Sequence, residues 1–255
     1  MKNERVIITA GAAGIGRIVA EAFLNQGAHV AVCDIDPDAV SDFQSTHPNS
    51  IARVADVTNE GQMTDFFNAV EAKFGGADVV FANAGTGGPA GLIENLDYAE
   101  WQACLAANLN GAFLTCSWAA RVMRPKGQGL IILASSTAGQ FGYPHRSPYA
   151  TAKWGVIGLM KTLAMELGPV GIRVNAICPG AVEGPRMEQV IAKEAAAKGV
   201  SHDKVRASYV KGVSLKSWVD AEDIAAMILF LASSAGKKIS GQALAIDGHT
   251  ETLAP

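Results

Sequence analysis

Tyr149 and Lys153 stand four residues apart, in Tyr-Ala-Thr-Ala-Lys, at the start of a segment with helical period. Residues four apart share a helix face, so this spacing sets an ammonium beside a phenol. A free tyrosine titrates near 10, too high for a base at neutral pH. A nearby cation favours the phenolate and lowers that value. A fall of about 3 units corresponds to roughly 4 kcal/mol of differential stabilisation. Lys153 together with a bound cationic ring can supply it. Such a phenol can trade a proton with a carbinol or carbonyl oxygen. The pair alone is common by chance, and its ordinary reading is a half-buried aromatic with a solvated lysine. Its surroundings must therefore decide.

Ser136 lies thirteen residues upstream of Tyr149, in Ala-Ser135-Ser136-Thr137-Ala138-Gly139, just after an apolar run at 130–134. A serine hydroxyl at a strand exit can hold a substrate oxygen while a tyrosine exchanges its proton. On residue type alone either Ser135 or Ser136 can do so, and either can instead cap local backbone.

These residues need a scaffold that gathers strand exits. Short apolar runs at 6–9, 30–33, 78–82, 130–134, 173–177 and 243–246 read as buried strands, with 51–54 as a further candidate. Helical patterns near 15–26, 60–73, 98–123, 150–167 and 221–233 alternate with them. This order predicts an α/β fold: a doubly wound, mostly parallel seven-stranded sheet with helices on both faces, a Rossmann fold. In such sheets the carboxyl ends of the strands converge on one crevice. A length of 255 residues fits one catalytic domain over 1–255. A polar, charged stretch at 184–217 interrupts the rhythm and reads as a substrate-loop insertion, or as a mobile surface excursion.

The first strand runs into Thr9-Ala10-Gly11-Ala12-Ala13-Gly14-Ile15-Gly16-Arg17 and then a helix. A glycine-rich strand-to-helix turn lets backbone N–H groups approach a pyrophosphate, and the helix dipole adds to the attraction. Gly11, Ala13, Gly14, Ile15 and Gly16 are the expected contacts. Asp34 closes the second strand 18 residues after Gly16. A carboxylate near this spacing accepts hydrogen bonds from ribose hydroxyls and repels a 2′-phosphate, so NAD is favoured over NADP. Arg17 pulls weakly the other way. The plain reading of Asp34 is a turn residue, helped by Asp36-Pro37.

The formal net charge of −3, with no long run of one sign, gives no reason to expect nucleic acid or an anionic membrane as partner. Cys33, Cys104, Cys116 and Cys178 lie far apart, without metal-ligand spacing, and read as reduced core thiols of a cytoplasmic protein. No metal is expected. The N-terminus enters a strand pattern at once, without a signal-peptide pattern, and no apolar run is long enough to span a bilayer.

In combination the motifs resemble the short-chain dehydrogenase/reductase family, in its compact single-domain branch, from about Arg5 to Gly248. The family's serine precedes its tyrosine by thirteen positions, which selects Ser136. Ala107-Asn108-Leu109-Asn110-Gly111 is similar to the segment that carries the family's fourth catalytic residue, which implies Asn108. Asp56-Val57 matches the pair beside the adenine. Asn83-Ala84-Gly85 matches the turn after strand four, and Pro179-Gly180-Ala181-Val182 the turn over the nicotinamide, with Pro179, Gly180 and Val182 as contacts. The resemblance implies that Tyr149 is the general acid/base and that Lys153 lowers its pKa and holds the nicotinamide ribose. It also implies that Ser136 orients the substrate oxygen and that Asn108 anchors a proton-relaying water. A homotetramer by helix pairing is expected. Three positions depart from the family pattern. Ala10 stands at the first glycine, which suggests no demand there for positive φ. Gly184 replaces a threonine. His249 follows Asp247-Gly248 where a second glycine is usual, and reads as a surface or interface residue.

The expected function is NAD(H)-dependent hydride transfer with a secondary alcohol or ketone, oxidation being favoured because cellular NAD is mostly oxidised. Cationic residues near the crevice suit a polar substrate such as a hydroxy acid or sugar derivative, contacted by one of His145, Arg146, Arg186 or Arg206. An ordinary solvated charged helix explains the same charges. Tyr143, Met187, Tyr209 and Trp218 can line an apolar wall instead, while Trp154 reads as core or subunit interface. The alternatives are a 3-oxoacyl thioester reductase, a nicotinamide-dependent sugar epimerase and a non-catalytic cofactor-binding sensor. The last is disfavoured because Asn108, Ser136, Tyr149 and Lys153 are all present.

Overall fold

Runs of apolar, largely β-branched residues suit a sheet covered on both faces, and seven of them form strands. In the computed structural model, which describes residues 2–253 without the side chains of Arg186, Lys193, Ala197 and Lys198, these are β1 (Arg5–Thr9), β2 (His29–Asp34), β3 (Ile51–Val54), β4 (Val79–Ala82), β5 (Gly129–Ala134), β6 (Ile172–Pro179) and β7 (Ala243–Ile246). All pair in parallel, in the order β3-β2-β1-β4-β5-β6-β7. The order reverses between β1 and β4, so the crevice expected of such sheets opens beside the exits of those two strands.

Helices cover both faces. On one side α1 (Gly14–Asn25), α2 (Pro37–Thr46) and α9 (Ala221–Ala232) pack on Val6, Ile8, Val30, Val32, Phe81 and Ile132. On the other, α3 (Glu60–Phe74), α5 (Gly111–Met123) and α6 (Ser147–Leu167) pack on Ile7, Ala31, Val80, Ile131, Leu133 and Val174. Strand alternation sends neighbouring residues to opposite cores. Each fully buried Ile or Phe contributes roughly 1.5–3 kcal/mol.

The structure departs from the sequence expectation in three places. First, α2 begins where Asp36-Pro37 reads as a turn. Asp36 is its N-cap, accepting from the N–H groups of Asp38 and Ala39, and Pro37 is its first residue. Second, the expected helix at 98–123 is α4 (Tyr98–Leu105), then a π-helical stretch Ala106–Asn110, then α5. Third, the excursion at 184–217 holds α7 (Pro185–Lys198) and α8 (His202–Lys211). These two helices share a small core of their own, Ile191, Ala195 and Val205, with Met187, Tyr209 and Trp218 packed against it. Among the described residues no helix is long and apolar enough to cross a membrane.

The size of these cores sets local stability. Val205 is the one buried residue of α8, whereas β4 is buried throughout. Amide exchange followed by mass spectrometry should therefore be at least about tenfold faster across α8 than across β4. Equal protection of the two would show that the excursion at 184–217 is fused to the main core.

Candidate active site

The phosphate turn is shaped by close approaches. A Cβ at Gly11 would lie 2.7 Å from Cγ1 of Val32, and one at Gly16 would overlap the carbonyl of Ala10. Gly14 has φ +51°, and so does Ala10 nearly, at φ 49°. The expectation that Ala10 marks a position without positive φ is corrected: an alanine occupies the left-handed region there, where glycine is the easier residue. Ala13 is the N-cap of α1 and offers no side-chain acceptor to the helix. The N–H groups at its first turn are left to a ligand, as an anion site requires.

Two polar braces fix this turn. The hydroxyl of Thr9, 1% exposed, accepts from the N–H groups of Asn83 and Ala84 at 3.0 and 3.1 Å. Asn83 Nδ2 in turn donates to the carbonyls of Thr9 and Ala10. Asp34, buried at the exit of β2, accepts from the N–H of Ala12 at 3.2 Å and from that of Asp36 at 3.3 Å. Arg17 is engaged elsewhere. It pairs with Glu21 and Asp42 and stacks over Phe43.

The remaining expected cofactor residues stand at or just beyond the ends of β3 and β6. Asp56 closes a turn by accepting from the N–H and hydroxyl of Thr58. Val57 packs where a Cβ on Gly111 would fall. Pro179 ends β6 opposite Ile246. Gly180 lies so close to Asp247 that a Cβ would sit 2.9 Å from that residue's own Cβ. Val182 makes a parallel bridge to Val219.

Asn108, Tyr149 and Lys153 gather at the exits of β4 and β5, and Ser136 stands two residues beyond the end of β5. Lys153 is 4% exposed, and its Nζ donates to the carbonyl of Ala134 at 2.9 Å. The ammonium lies 5.5 Å from the centre of the Tyr149 ring. The buried Ser135 hydroxyl donates to the carbonyl of Lys153 at 2.9 Å, so Ser135 belongs to the scaffold. Ser136 is half-buried, and its hydroxyl oxygen accepts from the N–H of Ala138, which leaves its proton to donate. Asn108 lies in the π-helical stretch. Its Nδ2 donates to the carbonyls of Thr86 and Cys104 at 2.9 Å, and its buried Oδ1 makes no hydrogen bond. A Cβ on Gly85 would touch this Oδ1 and lie 3.3 Å from Lys153 Nζ, so both atoms face one point.

The substrate-side candidates separate. Arg146 donates to the carbonyl of Gly87 at 2.7 Å and stacks on Tyr143 and Tyr149. Arg206 is paired with Glu183 and Glu188 over the ring of Trp218, so its charge is met locally. His145 is exposed, at φ 61°. The side chains of Arg186, Lys193 and Lys198 lie outside the described residues. Met187, Tyr209 and Trp218 are partly buried and pack against the small core of α7 and α8, and Tyr209 also interacts with Tyr143. Trp154 is 51% exposed and is not a core residue. His249 takes φ 68°, which explains why glycine suits that position, and its Nδ1 lies 2.7 Å from the hydroxyl of Ser214. All four cysteines are free and buried, and burial pushes Cys33 and Cys116 up to about 12.

A glycine-rich turn after β1 and a Tyr149–Lys153 pair at the exit of β5 thus stand on one parallel sheet. A family model described as enoyl-(acyl carrier protein) reductase covers residues 10–249. The chain belongs to the short-chain dehydrogenase/reductase family. It is therefore an oxidoreductase on a Rossmann fold that binds a nicotinamide cofactor. Among the curated members, the rice protein (Oryza sativa subsp. japonica) named momilactone A synthase is 37% identical, over 95% of this chain and 88% of its own length. The structure of an NAD+-bound xylitol dehydrogenase superposes with a TM-score of 0.92 at 26% identity, over 97% of this chain and 99% of that one. An actinorhodin polyketide ketoreductase with NADPH gives 0.92 at 28% identity, over 97% and 98%.

Thr9 was assigned no role by sequence reasoning, and Ser135 stood only as an alternative to Ser136 or as a local cap, since their partners lie far away in sequence, on the exit of β4 and on α6. Thr9→Val should leave two half-buried N–H groups without a protein acceptor. Access to water puts the cost of each near the lower end of about 1–3 kcal/mol, so a loss of roughly 2 kcal/mol is expected in denaturant melts. A loss below about 1 kcal/mol would show that the brace is dispensable.

Proposed function

We propose that the protein is a cytoplasmic, NAD(H)-dependent dehydrogenase acting on a polar secondary alcohol or the corresponding ketone, with a hydroxy acid or sugar derivative as the substrate class. It acts as a single catalytic unit whose excursion at 184–217 covers the substrate. The observation that carries this reading is the buried Lys153 ammonium beside the Tyr149 ring at the exit of β5. The residues fit the cofactor: a Cβ at Gly11 or Gly16 would collide with the protein itself, so the turn keeps its close form only with glycine at these positions, the start of α1 has no side-chain cap, and Asp34 stands at the exit of β2. Asp56, Val57, Asn83, Ala84, Gly85, Pro179, Gly180 and Val182 would line the rest of its site. When bound, the nicotinamide supplies the acceptor or donor of hydride.

In the oxidative direction Tyr149 takes the proton of the substrate hydroxyl. Ser136 donates a hydrogen bond to the same oxygen and fixes its position. Lys153 stabilises the phenolate and holds the nicotinamide ribose. Asn108 Oδ1, buried and without a partner in the protein, is placed to hold a water that passes the proton on. Oxidation is the favoured direction, in keeping with NAD.

The engagement of Arg17 with Glu21 and Asp42 supports NAD, since it draws that guanidinium away from a 2′-phosphate. Arg146 and Ser136 support a polar substrate, as does the likeness to a xylitol dehydrogenase. Exposed Phe113, Trp154 and Met165 on α5 and α6 support a helix-paired homotetramer. Free buried thiols suit a reducing compartment.

A panel of polyols and hydroxy acids, offered with NAD+ and with NADP+, should give turnover chiefly with NAD+. Tyr149→Phe should lower it by roughly 10²–10⁴-fold while NADH binding persists. Unchanged turnover in this variant would remove the assigned acid/base. Asp34→Asn keeps an acceptor for Ala12 but removes the charge. It should shift the NADP+/NAD+ ratio of kcat/KM upward at least about tenfold, because like-charge juxtaposition is costly. An unmoved ratio would detach Asp34 from cofactor choice. Sedimentation should give four chains per particle, and a monomer would refute the proposed assembly.

A further inference from the structure

Two cations converge on one ring. The Arg146 guanidinium carbon lies 5.5 Å from the centre of the Tyr149 ring, the same separation as Lys153 Nζ. Arg146 is also fixed independently of that ring. It donates to the carbonyl of Gly87 in the loop after β4, and Tyr143 stacks on it at 5.5 Å. Its Nε is buried and makes no hydrogen bond. A guanidinium needed only to tie Gly87 to the start of α6 has no reason to lie over a ring that already faces a second cation. The face of a neutral phenol compensates two neighbouring positive charges weakly, whereas a phenolate compensates them strongly.

We propose that Arg146 is a positioning residue for proton exchange, acting through Tyr149 as the second cation that stabilises its phenolate. This rests on the assignment of Tyr149 as acid/base. The charged and titratable groups around the phenol come from several elements. Lys153 lies on its own helix, Arg146 is that helix's N-cap residue, and Cys104 comes from α4. Tyr143 comes from the β5–α6 loop, with Tyr209 of α8 behind it. Beyond Ser135 lie Cys178 of β6 and, after β7, Asp247. Burial raises both thiols, Cys178 to about 11, so neither is charged at neutral pH. The Asp247 carboxylate accepts from the N–H groups of His249 and Thr250.

The arrangement predicts a property of the protein alone, without substrate. The chain holds four tyrosines, so the phenolate absorbance of the full-length protein minus that of Tyr149→Phe isolates one ionisation. Repeating this in Arg146→Gln, which keeps a donor for Gly87 but no charge, should move the midpoint up by about one unit, a tenfold change in the ionisation constant. Arg146→Lys should recover most of that shift. If Arg146→Gln does not fold by near-ultraviolet dichroism, Arg146→Met, which keeps the packing of the stem, takes its place. An unmoved midpoint in a folded neutral variant overturns the proposal. So does an equal rise in Arg146→Lys, which would trace the effect to packing. A wild-type protein in which Tyr149 ionises no more readily than free tyrosine instead overturns the acid/base assignment itself, a result distinct from an unmoved variant.

Discussion

An ammonium is costly to bury unless it is hydrogen-bonded, and Lys153 meets that condition through the strand that ends at the site. Its Nζ donates to the last carbonyl of β5, and its own carbonyl accepts from the Ser135 hydroxyl one residue further on. The two bonds clamp the first turns of α6 to the exit of β5. Tyr149, one helical turn before Lys153, and Ser136, next to Ser135, are thereby set against the same crevice. The clamp needs β5 in the middle of the sheet, where both of its edges are paired. The parallel order of the strands is thus a condition of the chemistry as much as of stability.

The opposite wall of the crevice depends on a similar device. The Thr9 hydroxyl and the Asn83 amide join the exit of β1 to the exit of β4, across the point where the strand order reverses. Asp34 ties the same turn to β2. Three strands therefore fix one loop, and the left-handed conformation of Ala10 is held by these neighbours.

The strands were legible because a doubly covered sheet needs unbroken apolar runs, and each expected run is a strand. The missed elements have specific causes. Asp36-Pro37 has the chemistry of a turn and also of a helix start, so α2 was hidden behind its own cap. The π-helical stretch at 106–110 inserts its extra residue without altering composition, so one long helix was expected where Asn108 interrupts two. The cationic bias of 184–217 did not reveal that Arg206 is paired with Glu183 and Glu188, because those partners come together only in three dimensions. In the site, the spacing of Tyr149 and Lys153 gave their proximity directly. The role of Ser135 in the clamp, and the stacking of Arg146, depend on contacts across the crevice that no local pattern encodes.

The excursion at 184–217 is tied at both ends. Val182 bridges Val219 at its base, and Val213 bridges Thr250 near its exit, where Ser214 and Leu215 donate to the carbonyls of His249 and Gly248 and the left-handed His249 turns the chain back. Between these points α7 and α8 rest on their own small core, separate from the two that cover the sheet. This small core lies apart from the packing that holds the nucleotide turn, while Tyr209 of α8 reaches Tyr143, which shares Arg146 with the Tyr149 ring. The packing of α7 and α8 can therefore change with little effect on the two cores that cover the sheet, and Tyr209 is a point at which such a change would be felt at the crevice.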